Sequence, residues 1–139
     1  MTPHQRALVR RSWARLRPQA AELTALFYQR VFAVNPNARR LFGNKDMHIQ
    51  GALFAQMLSM FIRSLDLADP EIVEAIKASG RRHVGYGVTY SDYDGVGEAL
   101  LWAVEQALGP RFGGDVRDAW AEAYQTLAAA MRQASSTIL

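Results

Sequence analysis

The stretch GRRHVGYGV, Gly80–Val88, decides the fold because it ends a long helical pattern on a histidine followed by glycines. Upstream of His83, apolar and small residues recur at steps of four, three and four, which is the period of one helix face. That stripe contains Ile72, Ile76, Ser79 and His83. Gly85 and Gly87 are expected to end the helix, so His83 is predicted to lie on a buried face close to a helix terminus.

Two interpretations of His83 are open at this point. A histidine on an apolar helix face is commonly a core residue with satisfied hydrogen bonds. Alternatively it is a metal or haem ligand, since a neutral imidazole binds iron through one nitrogen while the other donates to a carbonyl. The main-chain carbonyl of Ser79, one turn earlier, is within reach of such a donor. The rest of the chain must decide between the two.

The remaining chain shows the same 3.6-residue period throughout, with no alternating strand pattern. Helix starts are predicted at Thr2–Gln5, after Pro18, before Phe54, at Asp69–Pro70, at Ser91–Asp92 and at Asp115. The second helix carries the apolar stripe Leu23, Phe27, Val31 and Val34. Pro36 leads a short helical turn, and Gly109 with Pro110 ends the fifth helix. The sequence therefore predicts an all-α fold of six substantial helices, in a single domain over residues 1–139.

Composition excludes several classes of function. The chain has 139 residues and no cysteine, which removes disulfides, thiolate metal sites and cysteine nucleophiles. The longest uncharged run, Met47–Ile62, is too short and too polar to span a bilayer. The N-terminus lacks the apolar stretch of a secretory signal, so a cytoplasmic location is expected. The net charge is +3, and its early arginines are interpreted as a solvated helix face rather than as a nucleic-acid site.

Two further polar residues interrupt apolar stripes. Gln50 lies four residues before Phe54 and eleven before Phe61, so it continues an apolar face. It either meets water at the helix start or needs a buried partner, because an unpaired buried amide costs about 1–3 kcal/mol. Tyr28 borders the Leu23–Phe27 stripe and is either an ordinary half-buried tyrosine or part of a pocket. Together with His83, these residues suggest a pocket formed by three helices.

The order of these residues resembles the globin family, and the resemblance covers nearly the whole chain. It rests on the segments RRSW, LFYQRVF, NPNARRLF, GRRHVGYGV, YDGVGEALL and LGPRF, followed by AWAEAY. In this order and at these separations they look like single-domain bacterial globins and neuroglobin-like proteins. The resemblance implies a globin fold, a three-over-three sandwich of helices that encloses a haem.

The resemblance also assigns roles to individual residues. It implies haem b, held without covalent attachment, with His83 as the proximal iron ligand. Tyr28, Gln50 and Phe54 fall on the distal side, where a diatomic ligand binds. The implied contacts to the cofactor are Phe42, Leu53, Arg82, Val88, Tyr93, Val96 and Lys45. Among these, Arg82 and Lys45 are the candidates to hold the haem propionates.

Alternatives remain open for the third helix. A slip of one residue would place Ile49 and Leu53 over the iron instead of Gln50 and Phe54. His48 is a rival iron ligand of the bis-histidine type. It precedes Gln50 by two residues, roughly 200° around a helix, so it should point outward if Gln50 points inward.

The expected function is reversible binding of dioxygen, and of carbon monoxide and nitric oxide, at ferrous haem iron, for scavenging or transport. The alternative is detoxification of nitric oxide by a dioxygenase-type reaction with a separate reductase. An alternative of another class is a cofactor-free helical interaction module. Tyr93 matches the tyrosine that some bacterial globins join to a proximal glutamate, but the position of that glutamate holds Ser135. This departure weakens the case for peroxidase-like chemistry.

Overall fold

A computed structural model describes residues 1–67, 69–85, 88–89 and 92–136, the side chains of 66, 67, 84, 85 and 134–136 excepted. The six α-helices of this part are α1 (Pro3–Leu16), α2 (Ala20–Val34), α3 (Met47–Leu67), α4 (Pro70–Gly85), α5 (Asp92–Leu108) and α6 (Gly114–Ser136). Short 3-10 turns occupy Arg17–Gln19, Pro36–Leu41 and Gly109–Arg111. No β-strand occurs among the described residues, so the predicted all-α fold is confirmed. In the same part of the chain, no helix combines the length and apolarity needed to cross a membrane.

The helix starts follow the predicted capping residues. Thr2 Oγ1 accepts a hydrogen bond from the backbone nitrogen of Gln5 at 3.1 Å, and Gln5 Oε1 accepts one from the backbone nitrogen of Thr2 at 3.0 Å. This reciprocal pair is the capping box expected at the start of α1. At α4, Asp69 Oδ1 accepts from the backbone nitrogen of Glu71 at 2.9 Å. Each cap satisfies amide groups that have no partner inside the helix.

The helix ends also follow the sequence closely. Helix α5 ends before Gly109, whose φ of 58° lies in the left-handed region that glycine adopts without strain. Helix α6 begins at Gly114, one residue earlier than predicted, which places Asp115 in its first turn. Gly87 and Ser91, which were predicted to flank the connection between α4 and α5, lie outside the described residues.

The helices pack in two groups around one apolar core. Helix α4 packs along α6, whereas α2 packs against α5 and α3. Helix α1 contacts both α6 and α3, and two indole donors fix these contacts. Trp120 Nε1 donates to Ser12 Oγ at 2.8 Å, and Trp13 Nε1 donates to Ser59 Oγ at 3.0 Å. Because both indole nitrogens have acceptors, two large rings are buried without an unpaired donor.

The stripe predicted for α2 is correct except at its last member. Leu23, Phe27 and Val31 are buried, but the prediction that Val34 joins them is wrong, since its side chain is 46% exposed. Val34 is the final residue of α2, and Asn35 after it has left the helical conformation. The helix therefore ends where its apolar face leaves the core.

A close approach between α4 and α6 fixes the position of α4. A Cβ atom built on Gly80 would lie 2.6 Å from the main-chain oxygen of Met131 and 2.9 Å from its Cα. These atoms belong to a helix backbone and cannot rotate away. Gly80 therefore allows the two helices to approach more closely than any other residue would permit.

We predict that Gly80→Ala destabilises the protein by about 1–3 kcal/mol, the usual cost of overpacking. Gly95→Ala is the matched control, because Gly95 lies inside α5 and its Cβ would meet nothing within 4 Å. That substitution should stabilise the protein by about 0.5–1 kcal/mol through helix propensity. Urea unfolding followed by far-ultraviolet circular dichroism measures both effects. Equal shifts of the same sign in both variants would contradict the close approach.

Candidate functional site

A cavity of about 590 Å³ lies among α2, α3, α4, α5 and α6. This volume falls within the range of small-molecule and cofactor sites, roughly 300–1,000 Å³. The wall includes every residue that the sequence analysis assigned to the iron, the ligand or the cofactor: Tyr28, Phe42, Lys45, Gln50, Leu53, Phe54, Arg82, His83, Val88, Tyr93 and Val96. The chain thus brings residues separated by up to 68 positions to one enclosure.

His83 enters the cavity from the last turn of α4. Its Nδ1 lies 2.6 Å from the main-chain oxygen of Ser79, one helical turn earlier. The carbonyl can only accept, so the contact assigns the proton to Nδ1 and the lone pair of the neutral ring to Nε2. Burial is the main cause that lowers the pKa of His83. The hydrogen bond to Ser79 opposes this shift, and the nearby charges of Arg82 and Lys45 add to it. The site therefore favours the neutral imidazole, which is the form that binds metals.

Tyr28 and Gln50 bring polar groups to the cavity from α2 and α3. Tyr28 is buried, and this burial raises the pKa of its hydroxyl to about 12, while a side-chain hydrogen bond with Gln50 lowers it. The net rise shows that desolvation dominates over the hydrogen bond. The Tyr28 hydroxyl is consequently protonated at neutral pH and available as a donor.

An aromatic cluster surrounds Tyr28. Its members are Phe27, Tyr28, Phe32, Phe42 and Phe54. Phe54 stacks on Phe27 with centroids 4.4 Å apart and planes 6° apart, and Phe42 meets Tyr28 edge-on at 5.3 Å. These contacts leave the Tyr28 ring little freedom and so fix the direction of its hydroxyl.

Two cations lie at the rim of the cavity, and one carboxylate, that of Asp92, also belongs to its wall. Lys45 and Arg82 both line the cavity and are exposed to solvent. Leu53 also lines it, although its side chain is 54% exposed, so the cavity opens to the surface beside this residue. An apolar enclosure with cations at its rim suits a flat apolar group that carries carboxylates at one edge.

Comparison with known proteins identifies the fold. A family model described as Globin matches residues 25–131. The chain belongs to the globin family. It is 28% identical to the anaerobic nitrite reductase HBII of Casuarina glauca, over 94% of this chain and 90% of that protein. It is 30% identical to the flavohemoprotein of Chromobacterium violaceum and 31% identical to that of Bordetella pertussis, each over 92% of this chain. The globin chain spans 32% of the length of each of these two flavohemoproteins.

The register of α3 favours Gln50 over its neighbours in this globin. Gln50 is half-buried and lines the cavity, whereas Ile49 is 58% exposed and does not line it. His48 is also exposed and lies in a different depression. Asp46 Oδ1 accepts from the backbone nitrogens of His48 and Ile49 at 2.9 and 3.3 Å, which anchors the first turn of α3 in this register.

Polar contacts between α5 and α6 stabilise the cavity wall that these two helices form. Tyr93 is buried, and its main-chain oxygen accepts a hydrogen bond from the hydroxyl of Tyr124. Arg132 lies with its guanidinium carbon 5.2 Å from the centre of the Tyr93 ring and pairs with Asp94 at 2.9 Å. The side chain of Ser135 lies outside the described residues.

The contribution of α6 was not predicted from the sequence. Tyr124, Leu127 and Met131 line the cavity, and Leu127 and Met131 lie four residues apart in an apolar stripe of α6. The stripe gave no signal of a cofactor site, because a helix face that lines a cavity has the same period as one that packs in a core. The sequence analysis also assigned no role to Arg132, the residue that follows Met131.

The donor set fits a haem better than a bare metal ion. Among the described residues of the wall, His83 alone supplies an imidazole, and the other ligands of an iron atom would then come from a macrocycle. The cavity has the required volume, an apolar wall and cations at its rim. The residues present in the structure are therefore compatible with the haem that the globin resemblance implied.

We predict that Tyr28 makes stability fall at alkaline pH. Its pKa is raised from 10.0 to about 12 in the folded protein. Over this interval the unfolded chain releases the Tyr28 proton while the folded chain keeps it, so the free energy of unfolding decreases as the pH rises. Two pKa units correspond to about 2–3 kcal/mol, and this contribution is fully present below about pH 10.

The measurement is urea unfolding of wild type and Tyr28→Phe at a series of pH values between about 9 and 12. The variant should lose less stability over this interval. Tyr124, whose pKa is also raised by burial, remains in both proteins and so cancels from the comparison. If the free energy of unfolding depended on pH in the same way in both proteins, the pKa of Tyr28 would not be raised in the folded state.

Proposed function

We propose that this globin binds haem b in the cavity and uses it to bind dioxygen reversibly. The observation that carries the proposal is the placement of His83 in the cavity wall, with Nδ1 fixed by the Ser79 oxygen at 2.6 Å. When bound, haem supplies a ferrous iron that takes a diatomic ligand such as dioxygen, carbon monoxide or nitric oxide. Membership of the globin family supports the assignment of this cofactor.

The chain holds the cofactor through three kinds of contact. His83 would offer Nε2 to the iron, while the Ser79 carbonyl keeps the ring in one tautomer. Phe42, Val88 and Val96 offer apolar surface to the porphyrin. Lys45 and Arg82 at the rim offer cations to the propionates. Each contact uses side chains that already face the cavity.

Tyr28 and Gln50 control how long a polar ligand stays. The Tyr28 hydroxyl keeps its proton at neutral pH and can donate it in a hydrogen bond, and the Gln50 side chain is its hydrogen-bond partner. Dioxygen held by a ferrous haem would be a polar, partly negative acceptor, whereas carbon monoxide held there would be much less polar. A hydrogen bond to a charged acceptor contributes about 1.5–3 kcal/mol. The pair therefore favours dioxygen selectively, which suits scavenging better than rapid delivery.

The likeness to flavohemoproteins supports a second candidate function. Nitric oxide and dioxygen would combine with one electron to give nitrate, and a separate flavin-containing reductase would supply that electron. A steady consumption of nitric oxide that depends on both dioxygen and such a reductase would favour this function over simple binding.

We predict that haem binding depends on His83 and not on His48. His83→Ala should abolish or greatly weaken the Soret absorption of the purified protein, because the cavity loses its imidazole. His48→Ala is the matched control, since His48 is exposed and lies outside this cavity. The spectra should be compared at equal protein concentration, with apoprotein folding checked by circular dichroism. Unchanged haem content in folded His83→Ala would refute the assignment of the ligand.

We predict that Tyr28→Phe raises the dioxygen dissociation rate about tenfold to a hundredfold, since each 1.4 kcal/mol corresponds to a factor of ten. The substitution removes the hydroxyl and keeps the ring within the aromatic cluster. The dissociation rate of carbon monoxide should change much less, which separates a lost hydrogen bond from a change in packing. Stopped-flow displacement of dioxygen provides the measurement.

Gln50→Leu should change the dioxygen rate in the same direction. The double variant should show less than the sum of the two single effects in free energy, because the two side chains interact with each other. Identical dioxygen rates in wild type and Tyr28→Phe would show that Tyr28 does not reach the ligand.

A further inference from the structure

A second depression lies beside the haem cavity, between the first halves of α2 and α3. This groove has a volume of about 770 Å³, which is also within the range of small-molecule sites, roughly 300–1,000 Å³. Much of its wall is formed by the alanines Ala20, Ala21, Ala25, Ala52 and Ala55. Its floor lies where α2 crosses α3 at Gly51, on which a Cβ would lie 2.6 Å from Thr24 Oγ1. The close crossing brings the bottom of the groove to Tyr28, which lines both the groove and the haem cavity.

The groove wall carries basic side chains. Arg39 and His48 line it, and none of the described residues in its wall is acidic. The hydroxyl of Thr24 already donates to the Ala21 oxygen at 3.2 Å. The first amides of α3 donate to Asp46, so they are not an anion site. A negatively charged ligand would therefore be recognised by the Arg39 and His48 side chains, with its apolar part against the alanines.

Arg39 is connected to Tyr28 through one aromatic ring. The Arg39 guanidinium carbon lies 5.1 Å from the centre of the Phe32 ring. The Phe32 ring in turn lies 6.2 Å from the Tyr28 ring and 5.4 Å from the Phe42 ring, centroid to centroid. Phe32 lines the groove, whereas Phe42 lines the haem cavity. A ligand that pairs with Arg39 thus acts on a side chain that packs on Phe32, a member of the aromatic cluster around Tyr28.

We propose that this groove binds an anionic amphiphile, a monocarboxylate with a short apolar chain, and that its occupancy alters the ligand dissociation rate set by Tyr28. The carboxylate pairs with Arg39 beside His48, and the apolar chain lies along the alanine wall towards Tyr28. Binding itself is independent of the function proposed above, whereas the effect on dissociation rests on it.

The binding half is tested with octanoate as the probe, by calorimetry on the haem-loaded protein saturated with carbon monoxide. One octanoate should bind per chain, and octanol, which lacks the charge, should bind at least about tenfold more weakly. Ala25→Trp should abolish binding because Ala25 is exposed and lines the groove. Ala129→Trp, on the exposed surface of α6 and in neither wall, should bind octanoate as wild type does.

The charge contribution has its own matched pair. Arg39→Gln should weaken octanoate binding about tenfold or more, whereas Arg40→Gln should change it less than about twofold. Arg40 is the adjacent exposed arginine and does not line the groove. Equal affinities in Arg39→Gln and Arg40→Gln, or full binding in Ala25→Trp, would place octanoate elsewhere and overturn the site.

The proposed effect of octanoate on the haem site is tested by measuring the dioxygen dissociation rate with and without saturating octanoate. Wild type should change its rate by at least about threefold, and Tyr28→Phe should not respond. Octanoate binding that leaves the wild-type rate unchanged contradicts the coupling. A wild-type rate equal to that of Tyr28→Phe in the absence of octanoate would instead refute the role of Tyr28 in the proposed function, so the two failures are distinguishable.

Discussion

The contact between Gly80 and the backbone of Met131 is the constraint on which the site depends. A helix whose neighbour touches its backbone cannot shift without losing that contact, and α4 carries the one imidazole, half-buried, of the described cavity wall. Gly80 lies between Ser79, whose oxygen orients the histidine, and His83 itself. Met131 also lines the cavity with its side chain. Gly80 and Met131 therefore set the distance between α4 and α6, and Met131 is also part of the cavity wall.

The polar groups of the cavity are arranged by charge. Burial lowers the pKa of His83 and raises that of Tyr28, so desolvation favours the neutral form of both side chains. Each has a local partner, a main-chain oxygen for His83 and the Gln50 side chain for Tyr28. The permanent charges of Lys45 and Arg82 stay at the exposed rim. Apart from Asp92, whose carboxylate also belongs to the wall, an uncharged interior with cations at its rim would hold an apolar group with charged edges at little desolvation cost.

The period of the apolar residues predicted the helices and the apolar helix face on which His83 lies, because both depend only on residues within one helix. Periodicity could not determine whether Gln50 or Ile49 faces the cavity. A shift of one residue turns the helix by only about 100°, and an apolar face can still be drawn through the sequence. In the structure Gln50 lines the cavity and is hydrogen-bonded to Tyr28, whereas Ile49 does not line it. The role of Gly80 and the wall supplied by Tyr124 and Met131 depend on the meeting of distant helices. A single sequence contains no signal for such pairs.

The side of the cavity behind His83 distinguishes this globin from a strongly electron-donating haem protein. The His83 Nδ1 proton is held by a neutral main-chain oxygen, whereas a carboxylate partner would raise the basicity of the ring. Position 135, where the family resemblance implied a possible glutamate, holds serine. Tyr93 is instead covered by the guanidinium of Arg132, whose charge is balanced by Asp94. In the proposed haem complex, a neutral His83 would push little electron density towards iron, and strong electron donation is what favours cleavage of an O–O bond. This wall is consistent with a ligand that enters and leaves intact.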